Sequence, residues 1–123
     1  MNVYQEILLD HFKHPRHKGV LEHADFSSGQ HNPSCGDMVS MQGIVRDGML
    51  ANVAFEGKGC VISMATASLL CEAACGQKLA IISAYDVDFV LNLIGMQLGP
   101  NRLQCALLPL QALQAGVYEY NKK

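Results

Sequence analysis

The sequence predicts an α+β fold, in which one antiparallel β-hairpin is accompanied by several helices. Asp47-Gly48 supplies the positive φ values of a tight hairpin turn between two strand-like runs, residues 38–45 and 49–56. Residues 61–75 are mostly small or apolar and stop at Gly76, which predicts a closely packed helix. Apolar residues also recur at helical spacing near both ends of the chain.

The composition is that of one globular domain. Hydrophobic residues make up 50% and charged residues 16% of the 123 residues, with no repeat or linker, so we expect residues 1–123 to form a single domain. The net charge of −2, without long runs of either sign, argues against nucleic acid or an anionic membrane as partner. The first ten residues lack a signal-peptide pattern, and no stretch of about 18 apolar residues occurs. We therefore expect a cytoplasmic protein.

The first predicted helix spans residues 2–13. It carries Val3, Ile7, Leu8 and Phe12 at helical spacing, and it stops before Pro15, because proline disfavours helical geometry in the residue before it. Residues 16–30 are polar and punctuated by glycine, which predicts a surface connection. Because the break at Pro15 keeps nearby histidines off one helical face, we interpret all five as solvated side chains and not as a metal site: His11, His14, His17, His23 and His31.

The predicted hairpin brings chemically active side chains to its open end. Cys35 lies twelve residues before Asp47, and Cys60 lies twelve residues after Gly48, so pairing in register would set the two thiols opposite each other. Asp37 falls within two residues of the same place. A β-bulge would shift this register, so the counting predicts convergence without fixing a distance.

Cys60 follows the glycine-rich residues 56–59 and stands where the next helix begins. Unpaired amides at a helix start favour a thiolate, and glycine before the thiol lets the backbone turn sharply, so Cys60 is a candidate ligand or nucleophile. Cys71 and Cys75 share the same helix. Cys71 lies about 16 Å from Cys60 along the helix axis, too far to share one metal ion. Cys71 and Cys75 are therefore predicted to be core thiols.

Three more helices are predicted after Gly76. Residues 78–85 form a short helix or turn, and Asp86 caps a helix that runs to Ile94 and closes at Gly95. A last helix occupies the region 103–120. Because Pro109 is best tolerated in a first turn, this helix is expected to begin just after Cys105, which would place a second thiol at a helix start.

Cys35, Cys60, Cys105 and Asp37 together offer three sulfur ligands and one oxygen ligand. The five cysteines are odd in number and irregularly spaced, which indicates reduced thiols and no disulfide framework. The four side chains can complete a tetrahedral zinc site or hold an iron–sulfur cluster. No Cys-x-x-Cys pair occurs, which argues against a zinc ribbon. The weaker oxygen ligand suits a site that hands its load on.

Three motifs resemble the signatures of the IscU/SufU/NifU-type iron–sulfur cluster assembly proteins, in the right order over nearly the whole chain. They are Asn32-Pro33-Ser34-Cys35-Gly36-Asp37, Phe55-Glu56-Gly57-Lys58-Gly59-Cys60 with Ile62-Ser63-Met64-Ala65, and Arg102-Leu103-Gln104-Cys105-Ala106. The resemblance implies an IscU/SufE-like fold, whose small antiparallel sheet (the hairpin and a third strand) packs against several helices. It also implies that the ligands of a transient iron–sulfur cluster, of the [2Fe–2S] type, or of zinc are Cys35, Asp37, Cys60 and Cys105.

The same resemblance implies a function in sulfur transfer. Proteins of this family take persulfide sulfur from a pyridoxal-phosphate-dependent cysteine desulfurase and pass their product to acceptor or downstream scaffold proteins. Cys35 and Cys105 are the candidate persulfide acceptors, because a glycine-containing turn favours mobility and a helix start favours acidity. Cys60 is interpreted as a fixed ligand.

Two departures from the family pattern leave the branch of the family open. Gln104 replaces a histidine, and residues 98–102 replace a Leu-Pro-Pro-Val-Lys motif, which argues against a histidine ligand and against docking of a dedicated Hsp70. The residues around Cys60 and Cys105 favour the SufU branch, yet the insertion typical of SufU is missing before Cys105.

Three interpretations remain from the sequence. The first is a non-enzymatic sulfur acceptor and transient scaffold, the second a zinc-dependent sulfurtransferase, and the third a structural zinc-binding interaction module. Catalysis like that of a cysteine protease is disfavoured, because no histidine is placed by sequence near Cys60 or Cys105.

Overall fold

The computed structural model describes residues 2–34 and 36–123 and has the α+β fold that the sequence predicts. Three strands follow the first helix and precede four further helices. The elements are α1 (Val3–Lys13), β1 (Phe26–Asn32), β2 (Asp37–Arg46), β3 (Met49–Lys58), α2 (Val61–Ala74), α3 (Leu79–Ser83), α4 (Val87–Ile94) and α5 (Pro100–Asn121).

The strands form an antiparallel sheet in the order β1-β2-β3. Asp47 and Gly48 have φ values of 54° and 74°, which confirms the hairpin turn between β2 and β3. An irregularity at Ile44/Val45 shifts the pairing by one residue, so that Met38 lies opposite Lys58 at the open end. The predicted hairpin is therefore confirmed, and its observed register differs by one residue from the register that simple counting predicts.

The prediction of a surface connection over residues 16–30 is wrong in two places. A strand beyond the hairpin, β1, begins at Phe26. Upstream of it, the amide of Gly19 donates a hydrogen bond to the carbonyl of Phe55 in β3 (2.9 Å). Phe26 is the single large apolar residue of β1, whose other residues are polar or glycine, so the strand has almost no hydrophobic pattern of its own. It exists because it pairs with β2 along its whole length.

The sheet packs against α5 through Phe26. A Cβ atom on Gly43 of β2 would lie 2.3 Å from the Phe26 ring, and one on Gly116 of α5 would lie 2.4 Å from it. Both glycines are therefore required by close approach, which lets the ring lie between strand and helix. Phe26 belongs to the hydrophobic core, whose members with essentially no exposed surface include Met41, Leu50, Leu70, Ile82, Ile94, Leu113 and Val117.

The first helix is fixed to α2 by a buried histidine, so the prediction that all five histidines are solvated is wrong for His11. Its Nδ1 lies 2.7 Å from the hydroxyl of Ser68, and its Nε2 lies 3.4 Å from Glu72. The backbone amide of Arg16 also donates to Ser68 Oγ (2.8 Å). Burial, with the nearby Arg16 charge, lowers the pKa of His11 despite the opposing effect of Glu72.

The predicted starts and stops of the middle helices are confirmed. Cys60 is the N-cap of α2, Asp86 accepts a hydrogen bond from the amide of Phe89 (2.9 Å) at the start of α4, and Gly95 closes α4 with a φ of 70°. Within the described ranges, no helix is both long and apolar enough to span a membrane.

The predicted start of the last helix is wrong. Helix α5 begins at Pro100, so Cys105 lies in its second turn and Pro109 lies inside it. Pro100 takes the first-turn position that proline prefers, whereas Pro109 has no N–H for the carbonyl four residues earlier. Pro109 and its neighbours Leu108 and Leu110 are buried in the core, and this packing outweighs the lost helical hydrogen bond.

Candidate metal centre

Three side chains from three separate elements meet at one end of the sheet. Asp37 begins β2, Cys60 immediately precedes α2, and Cys105 lies in α5. A carboxylate oxygen of Asp37 and the two Sγ atoms all lie within 4.8 Å of one another. Thiolates on one tetrahedral zinc stand roughly 3.8 Å apart, so small side-chain movements would close the group around a metal ion.

The hydrogen bonds of Asp37 show how the strand and the helix are joined. The amide of Cys60 donates to Asp37 Oδ1 (3.3 Å), and the hydroxyl of Ser63 donates to Asp37 Oδ2 (3.0 Å). The side chain of Cys60 makes no capping hydrogen bond. In a capping box, the side chain of the third helix residue accepts a hydrogen bond from the amide of the N-cap residue, and here the Asp37 carboxylate from β2 takes that place. The predicted convergence of Asp37 and Cys60 is confirmed. The prediction for Cys35 falls outside the described residues.

Ser63 is the residue of this cluster to which the sequence analysis gave no role. It has no exposed surface, and its Oγ also lies 3.2 Å from the carbonyl oxygen and 3.7 Å from the Sγ of Cys60. The signal that could have found it is its position three residues after a helix N-cap that cannot cap well by itself. A hydroxyl there lies on the same turn as the N-cap residue.

Two glycines allow this close packing by having no side chain. A Cβ atom on Gly59 would lie 2.6 Å from Ser63 Oγ and 2.7 Å from Asp37 Cγ, and one on Gly57 would lie 2.1 Å from the carbonyl oxygen of Met38. Neither glycine has a positive φ, so the predicted sharp glycine turn before Cys60 is not what requires glycine here. Glycine is required because neighbouring atoms lie where a Cβ atom would be.

The two described thiols of the group have different settings. Cys60 is exposed, whereas Cys105 is only 8% exposed. Because Cys105 lies inside α5, the argument that helix-start amides make it acidic does not hold. Cys105 thus lies at the predicted site, but it is carried by the second turn of α5 and not by the start of that helix.

An open cleft of about 620 Å³ gives access to these thiols. It lies between the end of β1, the start of α2 and the first two turns of α5, and its lining includes Arg102 and Gln104. The residues that line it are Asn32, Ser34, Cys60, Val61, Ile62, Asn101, Arg102, Gln104 and Cys105. The cleft can admit a small ligand or the tip of a partner's loop.

The other two cysteines lie away from the cleft, as predicted. Cys71 is fully buried with its Sγ 3.8 Å from the Sδ of Met41, and burial raises the pKa of its thiol. Cys75 caps the far end of α2 and is half-buried, with its Sγ 3.8 Å from the carbonyl of Ala51. The predicted core role is confirmed for Cys71.

The fold and the site together define a small α+β domain with thiol and carboxylate donors at an open cleft. The family model described as "NifU-like N terminal domain" matches residues 3–123. The chain belongs to this family, as the three sequence motifs predicted.

Two curated relatives cover almost the whole chain. The zinc-dependent sulfurtransferase SufU of Bacillus subtilis is 30% identical over 94% of this chain and 89% of its own length. The iron–sulfur cluster assembly scaffold protein IscU of Escherichia coli is 30% identical over 98% of this chain and 95% of its own length. A crystal structure of a NifU-like N-terminal protein from Brucella abortus shares the fold, with a TM-score of 0.81, 20% identity and coverage of 98% and 96% of the two chains.

Proposed function

We propose that this protein accepts sulfur and serves as a transient scaffold in iron–sulfur cluster assembly. The observation that carries the proposal is the meeting of Asp37, Cys60 and Cys105 within 4.8 Å at an open cleft. The proposed ligand set is these three residues with Cys35, whose neighbour Ser34 lines the same cleft. The scaffold relative from Escherichia coli supports the proposal.

The donor set suits a load that is held and then released. Cysteine thiolates bind iron, zinc and clusters strongly, whereas a single carboxylate is the weakest member of the set. Asp37 is therefore the ligand that we expect to exchange first. Both of its oxygens also accept hydrogen bonds, from Cys60 and Ser63, which keep the carboxylate beside the thiols. The cluster is the cargo, and we expect it to be of the [2Fe–2S] type.

Sulfur would arrive as a persulfide on a pyridoxal-phosphate-dependent cysteine desulfurase. An acceptor thiolate of this chain attacks the terminal sulfur, a new S–S bond forms, and the thiolate of the desulfurase leaves. Of the two candidate acceptors, Cys105 is only 8% exposed, so we assign the first transfer to Cys35 and keep Cys105 as the second candidate. The chemistry needs reduced thiols, which is consistent with a cytoplasmic location.

Anaerobic reconstitution tests the scaffold function. The protein is incubated with ferrous iron, cysteine and a cysteine desulfurase, and bound sulfide and visible absorption are measured. We expect a stoichiometric cluster in the parent, loss of the cluster in Cys35→Ser, Cys60→Ser and Cys105→Ser, and no loss in the matched control Cys75→Ser. The scaffold function is excluded if the three site variants behave like the parent.

A second candidate function is zinc-dependent sulfur transfer. The cleft residue beside Cys105 is Gln104, not the histidine usual in scaffold members, and the relative from Bacillus subtilis is a zinc-dependent sulfurtransferase. This function predicts one bound zinc per chain in protein purified without chelator. It also predicts faster desulfurase turnover, with a persulfide on a site cysteine visible by peptide mass spectrometry. Zinc without either effect would indicate a structural module instead.

A further inference from the structure

The buried hydroxyl of Ser63 connects the strand that carries Asp37 to the helix that follows Cys60. Ser63 has no exposed surface, and it donates to Asp37 Oδ2 at 3.0 Å. The other carboxylate oxygen accepts the amide of Cys60 at 3.3 Å. Asp37 is itself only 4% exposed, so few water molecules can replace a lost donor.

Donors on both oxygens hold the plane of a carboxylate more firmly than a donor on one oxygen does. The amide of Cys60 belongs to the backbone and stays in any variant, so the side chain of Ser63 is the adjustable half of this pair. The single hydroxyl proton of Ser63 is also within reach of the Cys60 carbonyl, at 3.2 Å. Ser63 therefore contacts both the proposed oxygen ligand and the residue that carries a proposed sulfur ligand.

We propose that Ser63 is a positioning residue of the metal centre, which holds the Asp37 carboxylate in the orientation that binds the metal. This inference rests on the proposed function, since it assumes that Asp37 is a ligand. Residues that orient metal ligands through hydrogen bonds typically change metal affinity by about tenfold to hundredfold when they are replaced. Ser63→Ala should weaken zinc binding within that range.

The neighbouring turn of α2 supplies a matched control. Thr66 has no exposed surface, and its hydroxyl has no hydrogen-bond partner among the described residues. Thr66→Val thus removes a buried hydroxyl from the same helix without removing a hydrogen bond of the site. We expect its zinc affinity to equal that of the parent.

The experiment measures zinc affinity by competition with a chromogenic chelator on the full chain. The ligand-field spectrum of Co²⁺ is recorded as a second readout, because it responds to the identity and geometry of the whole ligand set. We expect Ser63→Ala to lose about tenfold to hundredfold in affinity, with an altered Co²⁺ spectrum and a thermal unfolding transition that is retained. Ser63→Ala that binds zinc like the parent overturns the inference and leaves the proposed function intact.

A double-mutant cycle separates positioning from a merely structural role. If Ser63 acts through the carboxylate, Ser63→Ala should have no further effect on zinc affinity in an Asp37→Ala background. A full additive loss in that background overturns the inference, because Ser63 would then act independently of Asp37. A parent protein that binds neither zinc nor iron overturns the proposed function and this inference together.

Discussion

The two ends of α2 place the same residue type in opposite settings. Cys60, just before the first turn, is exposed and lies within 4.8 Å of an Asp37 oxygen and of Cys105 Sγ. Cys71, in the last turn, is fully buried beside Met41, and burial raises the pKa of its thiol. What distinguishes the two thiols is therefore their position relative to the helix end and the sheet.

The buried serines of α2 show the same division. The hydroxyl of Ser63 contacts Asp37 at the cleft, whereas the hydroxyl of Ser68 contacts the His11 ring and the amide of Arg16. The first turn of the helix thus supports the candidate metal centre, and the middle of the helix anchors α1. Ser63 and Ser68 are five residues apart, so about 1.4 turns of one helix separate the two roles.

Thiol alkylation should show the largest difference between the two ends. In metal-free protein, iodoacetamide should label Cys60 at once and Cys71 roughly a thousandfold more slowly, because Cys71 reacts only when the core opens. Peptide mass spectrometry after timed quenching measures both rates. Labelling of Cys71 within about tenfold of Cys60 would break the comparison.

Alanine at the glycines that flank α2 tests how tightly each end is built. Gly57→Ala should lower the free energy of unfolding by about 3 kcal/mol or more, because the new Cβ would lie 2.1 Å from a backbone oxygen. Gly76→Ala should cost only about 1–2 kcal/mol, since its φ of 88° is strained for alanine but its surroundings are open. Urea unfolding measures both, and equal losses would contradict the prediction.

Replacing each buried serine should separate stability from metal binding. Ser68→Ala should lower the free energy of unfolding by about 1–3 kcal/mol, because it leaves the buried His11 ring and the Arg16 amide without their shared partner. Its zinc affinity should stay at the parental value, which is the reverse of the effect expected for Ser63→Ala. Urea unfolding and zinc competition on the two variants test this, and a Ser68→Ala variant that loses zinc would sink it.

Acid should weaken the contacts that anchor α1 to α2, and the loss of unfolding free energy should be smaller than that expected for Ser68→Ala. Burial lowers the folded-state pKa of His11 below its ordinary 6.5, so the imidazole takes up a proton more readily in the unfolded chain than in the folded one. The stabilising contribution is complete above 6.5 and is lost as the pH falls below that value. Unfolding free energies from about pH 7.5 to about pH 5.5 should fall less steeply in His11→Gln than in the parent. Parallel curves would show that His11 does not contribute.

The local parts of the fold could be predicted from the sequence because their causes act within a few residues. The Asp47-Gly48 turn follows from the backbone freedom of its residues, and the start of α2 at Cys60 follows from the change from strand-like to helical composition. The cap of α4 at Asp86 follows in the same way from its own side chain. Three members of the candidate site, Asp37, Cys60 and Cys105, could also be named beforehand, from their residue types and motifs.

The tertiary structure alone decided how these parts meet. Strand β1 forms by pairing with β2, Pro109 is carried inside α5 by core packing, and His11 is buried by contact with Ser68, which lies 57 positions away. The hydrogen bond between Ser63 and Asp37 likewise joins residues 26 positions apart, across a register set by an irregularity at Ile44/Val45. Such contacts depend on which surfaces pack together, and no local propensity encodes them. The sequence therefore determined the donors of the candidate centre, and packing determined which groups hold them in place.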